Sequence, residues 1–365
     1  MALKVAIVGL PNVGKSTLFN ALTATAAAEA ANYPFCTIEP NVGDVAVPEP
    51  RLPVLAKIAG SKEIIPARIQ FVDIAGLVRG ASKGEGLGNQ FLANIRDCDA
   101  VAFVARCFAD EGVIHVEGRV DPLSDLEIIE TELMLADLES LEKRVPTLEK
   151  RVRGGDKEGA TTLRLVKLAI ELLNAGKPAR AAVIEREDEK AWRMLQLLTA
   201  KPALFVCNVD EASADLGNEL SNKVAARAKE EGARAVVISA RIESEIAMLP
   251  EADREDFLAT LGLKEPGLNR LIREAYKLLG LQTYFTVGPK EAHAWTIHAG
   301  DTAPQAAGVI HTDFEKGFIR AETIAYDDYV KHRGEAGARD AGRLRLEGKE
   351  YVVQDGDVMH FRFAP

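Results

Sequence analysis

The chain has 365 residues and a mass of 39.5 kDa, a length that predicts two or three domains rather than one. Hydrophobic residues make up 47% of it, which is enough to bury sizeable cores and excludes a purely disordered chain. The formal net charge of −10 and the pI near 5.3 argue against a protein that coats nucleic acid through general positive charge, but they do not exclude a local basic patch.

Cysteine usage and hydropathy favour a soluble cytoplasmic protein. The cysteines Cys36, Cys98, Cys107 and Cys207 form no C-x-x-C pair and have no histidine at metal-binding spacing, which is typical of reduced thiols in the cytosol. The segment after Met1 lacks the architecture of a signal peptide. Since no stretch reaches the roughly 18 apolar residues that a membrane span needs, we expect no membrane association.

Short β-branched and apolar runs predict a buried sheet. The first, Lys4–Leu10, is followed by glycines and then by a helical segment, Ser16–Leu22. Four further candidate strands are Ile69–Ile74, Ala100–Ala105, Ala203–Cys207 and Ala235–Ile238. Strands that are apolar throughout are buried on both faces, and the intervals between these runs are long enough for crossover helices. The pattern therefore predicts an open, mainly parallel α/β sheet.

Between Asp121 and Thr199 the pattern changes to one typical of packed helices. Apolar residues recur at alternating spacings of four and three at Met134, Leu138, Leu141, Val145, Leu148 and Val152. After Gly154-Gly155-Asp156 a similar spacing resumes at Leu163, Val166, Ile170 and Leu173. We expect two antiparallel helices that project as a hairpin, with Pro146 kinking or splitting the first. An ordinary helical hairpin within a core is the alternative.

From Thr283 onward the chain predicts a small β-rich domain of about 80 residues. The candidate strands are Tyr284–Val287, Ala294–Ile297 and Tyr351–Val353, with turns at Gly300-Asp301 and Gly356-Asp357. Short strands bounded by glycine and aspartate are the pattern on which this expectation rests.

A phosphate-binding loop lies between the first strand and the first helix. Gly9–Ser16 (GLPNVGKS) matches G-x-x-x-x-G-K-[ST] in full. Glycines allow backbone N–H groups to converge on a phosphate, Lys15 supplies a mobile positive charge, and the Ser16 hydroxyl is suited to bind Mg²⁺. The helix that begins here points its positive end at the anion. The predicted nucleotide contacts in this loop are Gly9, Asn12, Val13, Gly14, Lys15, Ser16 and Thr17.

Two downstream segments complete the predicted phosphate site. Asp73-Ile74-Ala75-Gly76 reads D-x-x-G at the end of a buried strand, the pattern that senses Mg²⁺ and the γ-phosphate in nucleotide-dependent switches. The loop Asn32–Thr37 offers a hydroxyl to the same metal. The predicted metal ligands are therefore Ser16, Thr37 and Asp73, and the predicted catalytic groups include Lys15 and Gly76.

The segments after the fourth and fifth strands predict the base-binding end of the pocket. Asn208-Val209-Asp210-Glu211 stands where nucleotide-dependent switches carry N-K-x-D, whose aspartate pairs with the N1–H and amino groups of guanine. Val209 replaces the lysine and Glu211 the aspartate, which weakens the case for guanine, and Asp210 would read the base if the register were shifted by one. Ser239-Ala240 corresponds to the S-A turn that closes over the base. The predicted base contacts are Asn208, Val209, Glu211, Ser239 and Ala240.

Together these motifs resemble the YchF-type (Obg-like) ATPases, a family in the translation-factor class of P-loop proteins. The resemblance covers essentially the whole chain. It rests on GLPNVGKST (Gly9–Thr17), NYPFCTIEPNVG (Asn32–Gly43), DIAGLVRGASKGEGLGN (Asp73–Asn89), NVDE (Asn208–Glu211) and the C-terminal β-rich segment. It implies a P-loop G domain in two parts, 1–121 and 200–281, an inserted α-helical coiled-coil hairpin at 122–199, and a β-grasp-like TGS domain at 282–365.

The resemblance also implies an activity, which is the Mg²⁺-dependent hydrolysis of ATP in preference to GTP, since N-x-x-E replaces N-K-x-D. The family is linked to the ribosome, in particular the large subunit, and to translation or stress responses. Leu77 stands where Ras-like switches place a water-orienting glutamine, so we expect slow hydrolysis that relies on Lys15 and Mg²⁺. Asn12 occupies a position that helps hold K⁺ in potassium-activated relatives, which adds it to the predicted catalytic residues and makes stimulation by K⁺ a hypothesis. We expect a monomer.

A basic patch lies at the tip of the predicted hairpin. Between Lys143 and Lys167 there are eight basic and three acidic residues, a net charge of +5 on an otherwise acidic chain. A projecting arm with such a tip is suited to contact phosphates of rRNA or tRNA, and the TGS resemblance implies a second RNA contact. The predicted contacts are Lys143, Arg144, Lys150, Arg151, Arg153 and Lys157. A solvated helical face is the alternative interpretation.

Two other functions remain open from the sequence. One is a GTPase of the same architecture, and the other is a ribosome- or RNA-binding module whose nucleotide sets its conformation while hydrolysis is incidental. A P-loop kinase for small molecules is disfavoured, because no segment supplies a lid for an acceptor substrate.

Overall fold

The computed structural model describes residues 3–30, 41–74, 87–109 and 120–364, and the chain divides into two compact units. The first consists of Met1–Asp44 and Gln70–Ala275, and the second of Val45–Ile69 and Tyr276–Pro365. This division differs from the predicted boundaries, because residues 45–69 were assigned to the G domain and cluster instead with the C-terminal segment.

The strands, in chain order, are β1 (Lys4–Val8), β2 (Val42–Ala46), β3 (Glu63–Ile65), β4 (Arg68–Asp73), β5 (Ala100–Arg106), β6 (Ala203–Asn208), β7 (Arg234–Ile238), β8 (Leu281–Val287), β9 (Glu291–His298), β10 (Phe318–Ala325), β11 (Arg345–Glu347) and β12 (Asp357–Phe363). The helices are α1 (Lys15–Ala30), α2 (Arg51–Ala59), α3 (Leu87–Arg96), α4 (Pro122–Arg153), α5 (Lys157–Asn174), α6 (Glu189–Met194), α7 (Glu219–Glu230), α8 (Ala240–Met248), α9 (Glu251–Thr260), α10 (Gly267–Leu278), α11 (Ala303–Ile310), α12 (Thr312–Lys316), α13 (Tyr326–Lys331) and α14 (Glu335–Asp340). Short 3₁₀ turns lie at Ala179–Ala181 and Glu211–Ser213.

A six-stranded sheet forms the core of the first unit, in the order β2-β4-β1-β5-β6-β7. Five neighbouring strands pair in parallel, in the order β4, β1, β5, β6 and β7. Val5 lies opposite Ala100, and Val101 lies opposite Ala203. Every residue of β5 and β6 is buried, as expected for strands covered on both faces. The five strands expected in this sheet are confirmed, within one or two residues at each end. Because their carboxyl ends share one edge of the sheet, the loops that carry the nucleotide motifs meet there.

The insertion between β5 and β6 begins as a helical hairpin. Asp121 caps α4 by accepting a hydrogen bond from the Ser124 N–H at 3.3 Å, and Asp156 caps α5 by accepting one from the Gly159 N–H at 2.9 Å. The expected seam is confirmed by a buried cluster whose members include Leu141, Leu148, Leu165, Val166, Ala169 and Leu173. Val152, at the end of the predicted stripe, does not belong to that cluster.

Helix α4 runs without interruption through Pro146, so of the two expected effects, a kink or a split, the split is wrong. A proline inside a helix removes one backbone hydrogen bond and crowds the preceding turn. The flanking residues Leu141 and Leu148 are buried against α5 and the segment that follows it, and this packing supports the helix on both sides of the proline.

Four charged side chains hold the base of the insertion to the sheet domain, and we call them the four-charge cluster: Glu130, Arg180, Arg227 and Glu231. Glu130 of α4 accepts hydrogen bonds from both arginines, and Glu231 accepts from Arg180 at 2.9 Å and from Arg227 at 2.7 Å. The exposed side-chain fraction rises from 5% for Glu130 to 25% for Glu231. Buried charges are tolerated only when they are paired, and here each carboxylate faces two guanidinium groups.

The return of the chain to β6 is fixed by Asp137. Its carboxylate accepts hydrogen bonds from the N–H groups of Leu198 and Thr199, both at 2.9 Å, and from the Thr199 hydroxyl at 2.7 Å. Burial raises the pKa of Asp137 above its ordinary value, although these donors act in the opposite direction. The α4 helix therefore fixes the end of the insertion just before the chain enters β6.

The second unit contains a mixed sheet in the order β11-β10-β12-β8-β9-β3. Strand β3 pairs in parallel with β9, Glu63 lying opposite Glu291, and α2 packs against β8 and β9. These long-range pairings explain why 45–69 groups with the C-terminal segment. On the other side of the sheet, α11 covers a core that includes Tyr284, Phe318 and Phe361.

The predicted strand Tyr351–Val353 is wrong. Only an isolated bridge joins Thr302 to Val352, because this run lies between a turn at Gly348 and another at Gly356 and has no room to extend. The predicted strands Tyr284–Val287 and Ala294–Ile297 are confirmed within the longer β8 and β9. None of the described helices is long and apolar enough to cross a membrane.

The four-charge cluster predicts the effect of removing one of its members. Glu130→Ala removes the most buried carboxylate of the cluster and leaves Arg180 and Arg227 with Glu231 alone, so we expect a loss of about 3 kcal/mol in the free energy of unfolding, measured by urea denaturation. Glu139→Ala on the same helix removes an exposed ion pair with Lys143 and should leave stability unchanged. Equal losses in the two variants would contradict an anchoring role for the cluster.

Candidate functional site

The loop Gly9–Ser16 lies between β1 and α1 in the conformation that a phosphate site requires. Asn12 has φ of 62° and Gly14 has φ of 90°, a region in which a non-glycine side chain is strained. A Cβ atom on Gly9 would lie 2.9 Å from Val13 Cγ2, and one on Gly14 would lie 2.1 Å from Asn208 Nδ2. Gly14 is therefore required both by its backbone angle and by the side chain beside it.

The side-chain amide of Asn208 ties three segments together. Its Nδ2 donates to the Val13 carbonyl at 2.9 Å, and its Oδ1 accepts from the Ala240 N–H at 2.9 Å. Asn208 is 4% exposed. The residue was predicted from the sequence as a base contact. Its amide links the phosphate loop to the turn that follows β7, and the residue also borders the cavity described below, so the base contact stays a prediction.

At the phosphate end of the site, the Lys15 ammonium group bonds to the carboxylate of Asp73 at the end of β4. The side chains are 9% and 18% exposed, whereas Ser16 and Thr17 are exposed. The predicted residues Thr37 and Gly76, and Leu77 beside them, lie outside the described residues. Lys15 and Asp73 therefore meet next to the N-terminus of α1, where Ser16 follows Lys15 in the chain.

The oxygen donors at this point fit a magnesium ion. Mg²⁺ prefers oxygen ligands and is usually held by one or two protein groups together with substrate phosphates, and the Ser16 hydroxyl and Asp73 carboxylate are such groups. Within the described part of the chain, no group of three or more His, Cys, Asp or Glu side chains is placed to hold a metal ion. A metal here would therefore depend on the phosphates of a bound nucleotide.

A cavity of about 370 Å³ extends from the phosphate loop to the ends of β5, β6 and β7. It is lined by Asn12, Gly14, Thr17, Phe108, Ala109, Asn208, Val209, Asp210, Glu211, Ser239, Ala240 and Arg241. Eight of these were predicted from the sequence. Gly9, Val13, Lys15, Ser16 and Asp73 lie outside the lining. The volume is within the range of small-molecule sites.

Phe108 supplies an aromatic wall that the sequence analysis missed. It follows β5, and the guanidinium carbon of Arg106 lies 4.7 Å from the centre of its ring. Arg106 is 1% exposed and donates from Nε to the Phe108 carbonyl at 3.2 Å. An aromatic residue directly after a buried parallel strand was the available signal, since that position faces the shared carboxyl edge. Flat aromatic surfaces of this kind stack well on planar rings.

The polar groups at the base end of the cavity differ in whether they already have hydrogen-bond or ion-pair partners. Asp210 Oδ1 accepts from the Ser213 N–H at 3.0 Å and so caps the 3₁₀ turn, while Asp210 also lines the cavity. The buried Ser239 hydroxyl has no hydrogen-bond partner among the described residues. Glu211 forms an ion pair with Arg241, Oε1 to Nε being 2.8 Å.

The structure separates the six predicted tip residues into two groups. Lys143 pairs with Glu139 and Arg151 with Asp156, both at 2.6 Å, and Arg144 donates to the Leu195 carbonyl at 3.1 Å. The other three are exposed and have no carboxylate partner within the described ranges, and we call them the open tip cations: Lys150, Arg153 and Lys157. They lie on either side of Gly154-Gly155, where α4 turns into α5.

Two family models match parts of the chain. One, described as a 50S ribosome-binding GTPase, matches residues 4–143, and the other, the C-terminal domain of YchF-type GTPases, described as a protein of unknown function, matches residues 281–364. The chain is also similar along its whole length to curated proteins named ribosome-binding ATPase YchF. It is 54% identical over 363 residues to the protein from Haemophilus ducreyi, covering 100% of this chain and 99% of the relative. It is 52% identical over 365 residues to the protein from Bacillus subtilis, covering 100% of both.

A solved structure has the same fold. The YchF GTPase of Schizosaccharomyces pombe matches with a TM-score of 0.87 and 37% identity, covering 99% of this chain and 97% of that one. This match spans the sheet domain, the helical insertion and the β-rich C-terminal segment together. With more than half of its residues identical to curated relatives along its full length, and with the fold of a solved relative, this chain belongs to the YchF family.

Proposed function

We propose that this protein hydrolyses ATP in a Mg²⁺-dependent reaction and uses the bound nucleotide to control its association with the ribosome. The proposal is carried by the cavity at the carboxyl edge of the sheet, which has the phosphate loop at one end and Phe108 and the Ser239-Ala240 turn at the other. Its volume and lining suit a nucleotide, with Asn12, Gly14 and Thr17 of the phosphate loop at one end and the aromatic ring of Phe108 at the base end. The names of the curated relatives agree with this function.

The residues of the phosphate end have distinct roles in the proposed reaction. Lys15 pairs with Asp73 and exchanges this partner for the β- and γ-phosphates when nucleotide enters. Ser16, Asp73 and Thr37 would hold Mg²⁺, which supplies positive charge to the phosphate oxygens. The backbone of Gly76 is proposed to contact the γ-phosphate. With Leu77 in the place of a water-orienting glutamine, the reaction relies on electrostatic stabilisation and is slow.

We propose that ATP is preferred over GTP, with Gly9, Val13, Thr17, Val209 and Ala240 completing the nucleotide contacts. The cavity at the base end presents Val209 where guanine-binding pockets carry a lysine, and Glu211 is bonded to Arg241. The GTPase alternative has one specific observation in its favour, the match of residues 4–143 to a family described as a GTPase. Asn12 lines the cavity next to the phosphate end, and we propose that it also helps bind K⁺.

For the ribosome contact we propose the tip of the helical hairpin, acting on rRNA or tRNA in the large subunit. The open tip cations are exposed and lack a described carboxylate partner, so their charge is available to RNA phosphates. A second RNA contact through the C-terminal unit, which we propose to be of the TGS type, and a monomeric cytoplasmic protein complete the proposal. The alternative, a binding module with incidental hydrolysis, would use the same surfaces. It differs only in that ATP hydrolysis would not be needed to control binding.

Base preference and turnover can be tested together. For the unmodified chain we expect tighter binding of ATP than of GTP, and Lys15→Ala should lower ATP turnover at least about a hundredfold, because it removes charge from the transferred phosphate. Ribosome co-sedimentation in ATP, ADP, GTP and no nucleotide measures the switch. Tighter binding of GTP would favour the GTPase alternative. A Lys15→Ala protein that hydrolyses no ATP but still sediments in the normal nucleotide-dependent way would favour the binding module.

The phosphate loop predicts a contrast between two glycines. Gly14→Ala should abolish nucleotide binding, measured by titration calorimetry, because its Cβ would displace the Asn208 amide. Gly60→Ala is the matched control, since Gly60 has a φ of 66° and open space around its Cβ position. Gly60→Ala should lose roughly 1–2 kcal/mol of stability from the left-handed backbone, and Gly14→Ala should lose more than this, because it also displaces the buried amide of Asn208. Unchanged nucleotide affinity in Gly14→Ala would contradict the proposed phosphate cradle.

The open tip cations predict a salt-dependent ribosome contact. Replacing Lys150, Arg153 and Lys157 by glutamine should weaken co-sedimentation and reduce the dependence of log affinity on log salt by roughly two to three. The control replaces Lys143, Arg164 and Lys167, which lie on the same arm and already have carboxylate partners. It changes the net charge equally and should have the smaller effect. Equal effects of the two triple variants would show that total charge, rather than the tip, governs binding.

A further inference from the structure

The base end of the cavity holds few polar groups that are free to read a base. Asn208 donates from Nδ2 to the Val13 carbonyl and accepts at Oδ1 from the Ala240 N–H. One oxygen of the Asp210 carboxylate caps the turn that follows it. Ser239 has a buried hydroxyl without a described partner, but a hydroxyl donates or accepts equally well and accommodates the edge of either purine. Glu211 lines the cavity at the motif position where guanine-binding pockets carry their aspartate, so its carboxylate is the group best placed to discriminate between adenine and guanine.

Glu211 is held by a residue that no sequence motif identified. Arg241 is the second residue of α8, directly after the Ser239-Ala240 turn, and its Nε lies 2.8 Å from Glu211 Oε1. One turn further along α8, Glu245 Oε1 lies 3.6 Å from the same nitrogen. Both Arg241 and Glu211 line the cavity. The guanidinium group thus lies between two carboxylates at the mouth of the base end.

The position of this guanidinium group has opposite consequences for the two bases. Guanine presents N1–H and an amino group on its pairing edge, so it needs a carboxylate free to accept both hydrogen bonds. With Arg241 bonded to Glu211, that acceptor is engaged, and the positive charge beside it repels the donor edge of guanine. Adenine presents an acceptor at N1, which tolerates a nearby cation.

We infer that Arg241 determines the base preference of this protein by engaging the carboxylate of Glu211, so that the ion pair between them disfavours guanine nucleotides and leaves adenine nucleotides unaffected. This inference rests on the proposed ATPase function and names the residue that gives it selectivity. Glu211 stands in place of the aspartate of guanine-binding motifs, and the inference gives it a partner in Arg241. The selectivity then depends on two side chains from different loops.

The test measures dissociation constants for ADP and GDP, in the presence of Mg²⁺, with the full chain and its variants. Arg241→Ala should tighten GDP binding about threefold to fivefold, the range expected for one exposed ion pair, and leave ADP binding unchanged. Glu245→Ala is the matched control, since it removes the second carboxylate but keeps the pair with Glu211, and its GDP-to-ADP ratio should equal that of the unmodified chain. The double variant Glu211→Ala, Arg241→Ala should lose the gain, because the freed acceptor is gone.

Three results would overturn the inference. They are an unchanged ratio in Arg241→Ala, an equal change for both nucleotides, or a gain that persists in the double variant. Arg241→Gln, which removes the charge and keeps a polar side chain, repeats the measurement should the alanine variant fold poorly, and the same rise in GDP affinity is expected. Failure of the proposed function is recognised separately, in the unmodified chain: if it binds GDP more tightly than ADP, or binds neither, the ATPase proposal falls and the inference with it.

Discussion

The site depends on one buried side-chain amide. Asn208 joins the carbonyl of Val13 in the phosphate loop to the N–H of Ala240 at the start of α8, so three loops that are distant in sequence keep a constant separation. A hydrogen bond of this kind contributes only about 1 kcal/mol net, but a buried group left without its partner costs about 1–3 kcal/mol. The phosphate end and the base end therefore hold their spacing before any nucleotide arrives, and Gly14 must lack a side chain because the amide occupies that space.

Much of this arrangement could be predicted from the sequence because phosphate binding demands particular residues at adjacent positions. Gly9–Ser16 predicts phosphate binding from its motif alone, and buried parallel strands can be recognised as apolar runs. The roles of Phe108 and Arg241 could not be predicted, because each depends on where a loop from another strand comes to lie. The same holds for 45–69, whose strand β3 finds its partner β9 more than 200 residues later, and for Pro146, which packing on both sides keeps within one helix.

Charge acts locally throughout the molecule. The chain as a whole carries −10, but the effects that matter arise from whether a charge is paired. At the four-charge cluster each carboxylate pairs with two guanidinium groups, Glu130 is buried and the other three are partly buried, and these pairs anchor the insertion to the sheet domain. At the hairpin tip Lys150, Arg153 and Lys157 are exposed without a described carboxylate partner, and at the cavity the Glu211 carboxylate is paired with Arg241. Similar side chains thus differ in whether they are buried in pairs, exposed without a carboxylate, or paired at the cavity, according to their neighbours.

Helix α4 belongs to two structures at once. Its first turns, with Leu126, Ile129 and Leu133 buried, pack against β5 and α7, whereas its later turns from Leu141 onward form the core of the hairpin. The arm is therefore an outgrowth of a crossover helix rather than an appended domain. Since a helix rises about 1.5 Å per residue, the tip at Arg153 lies roughly 18 Å beyond Leu141, and whole turns added or removed in that stretch would change the reach of the arm while leaving the sheet intact. The number of helical turns in this stretch therefore sets the distance between the hairpin tip and the nucleotide-binding domain.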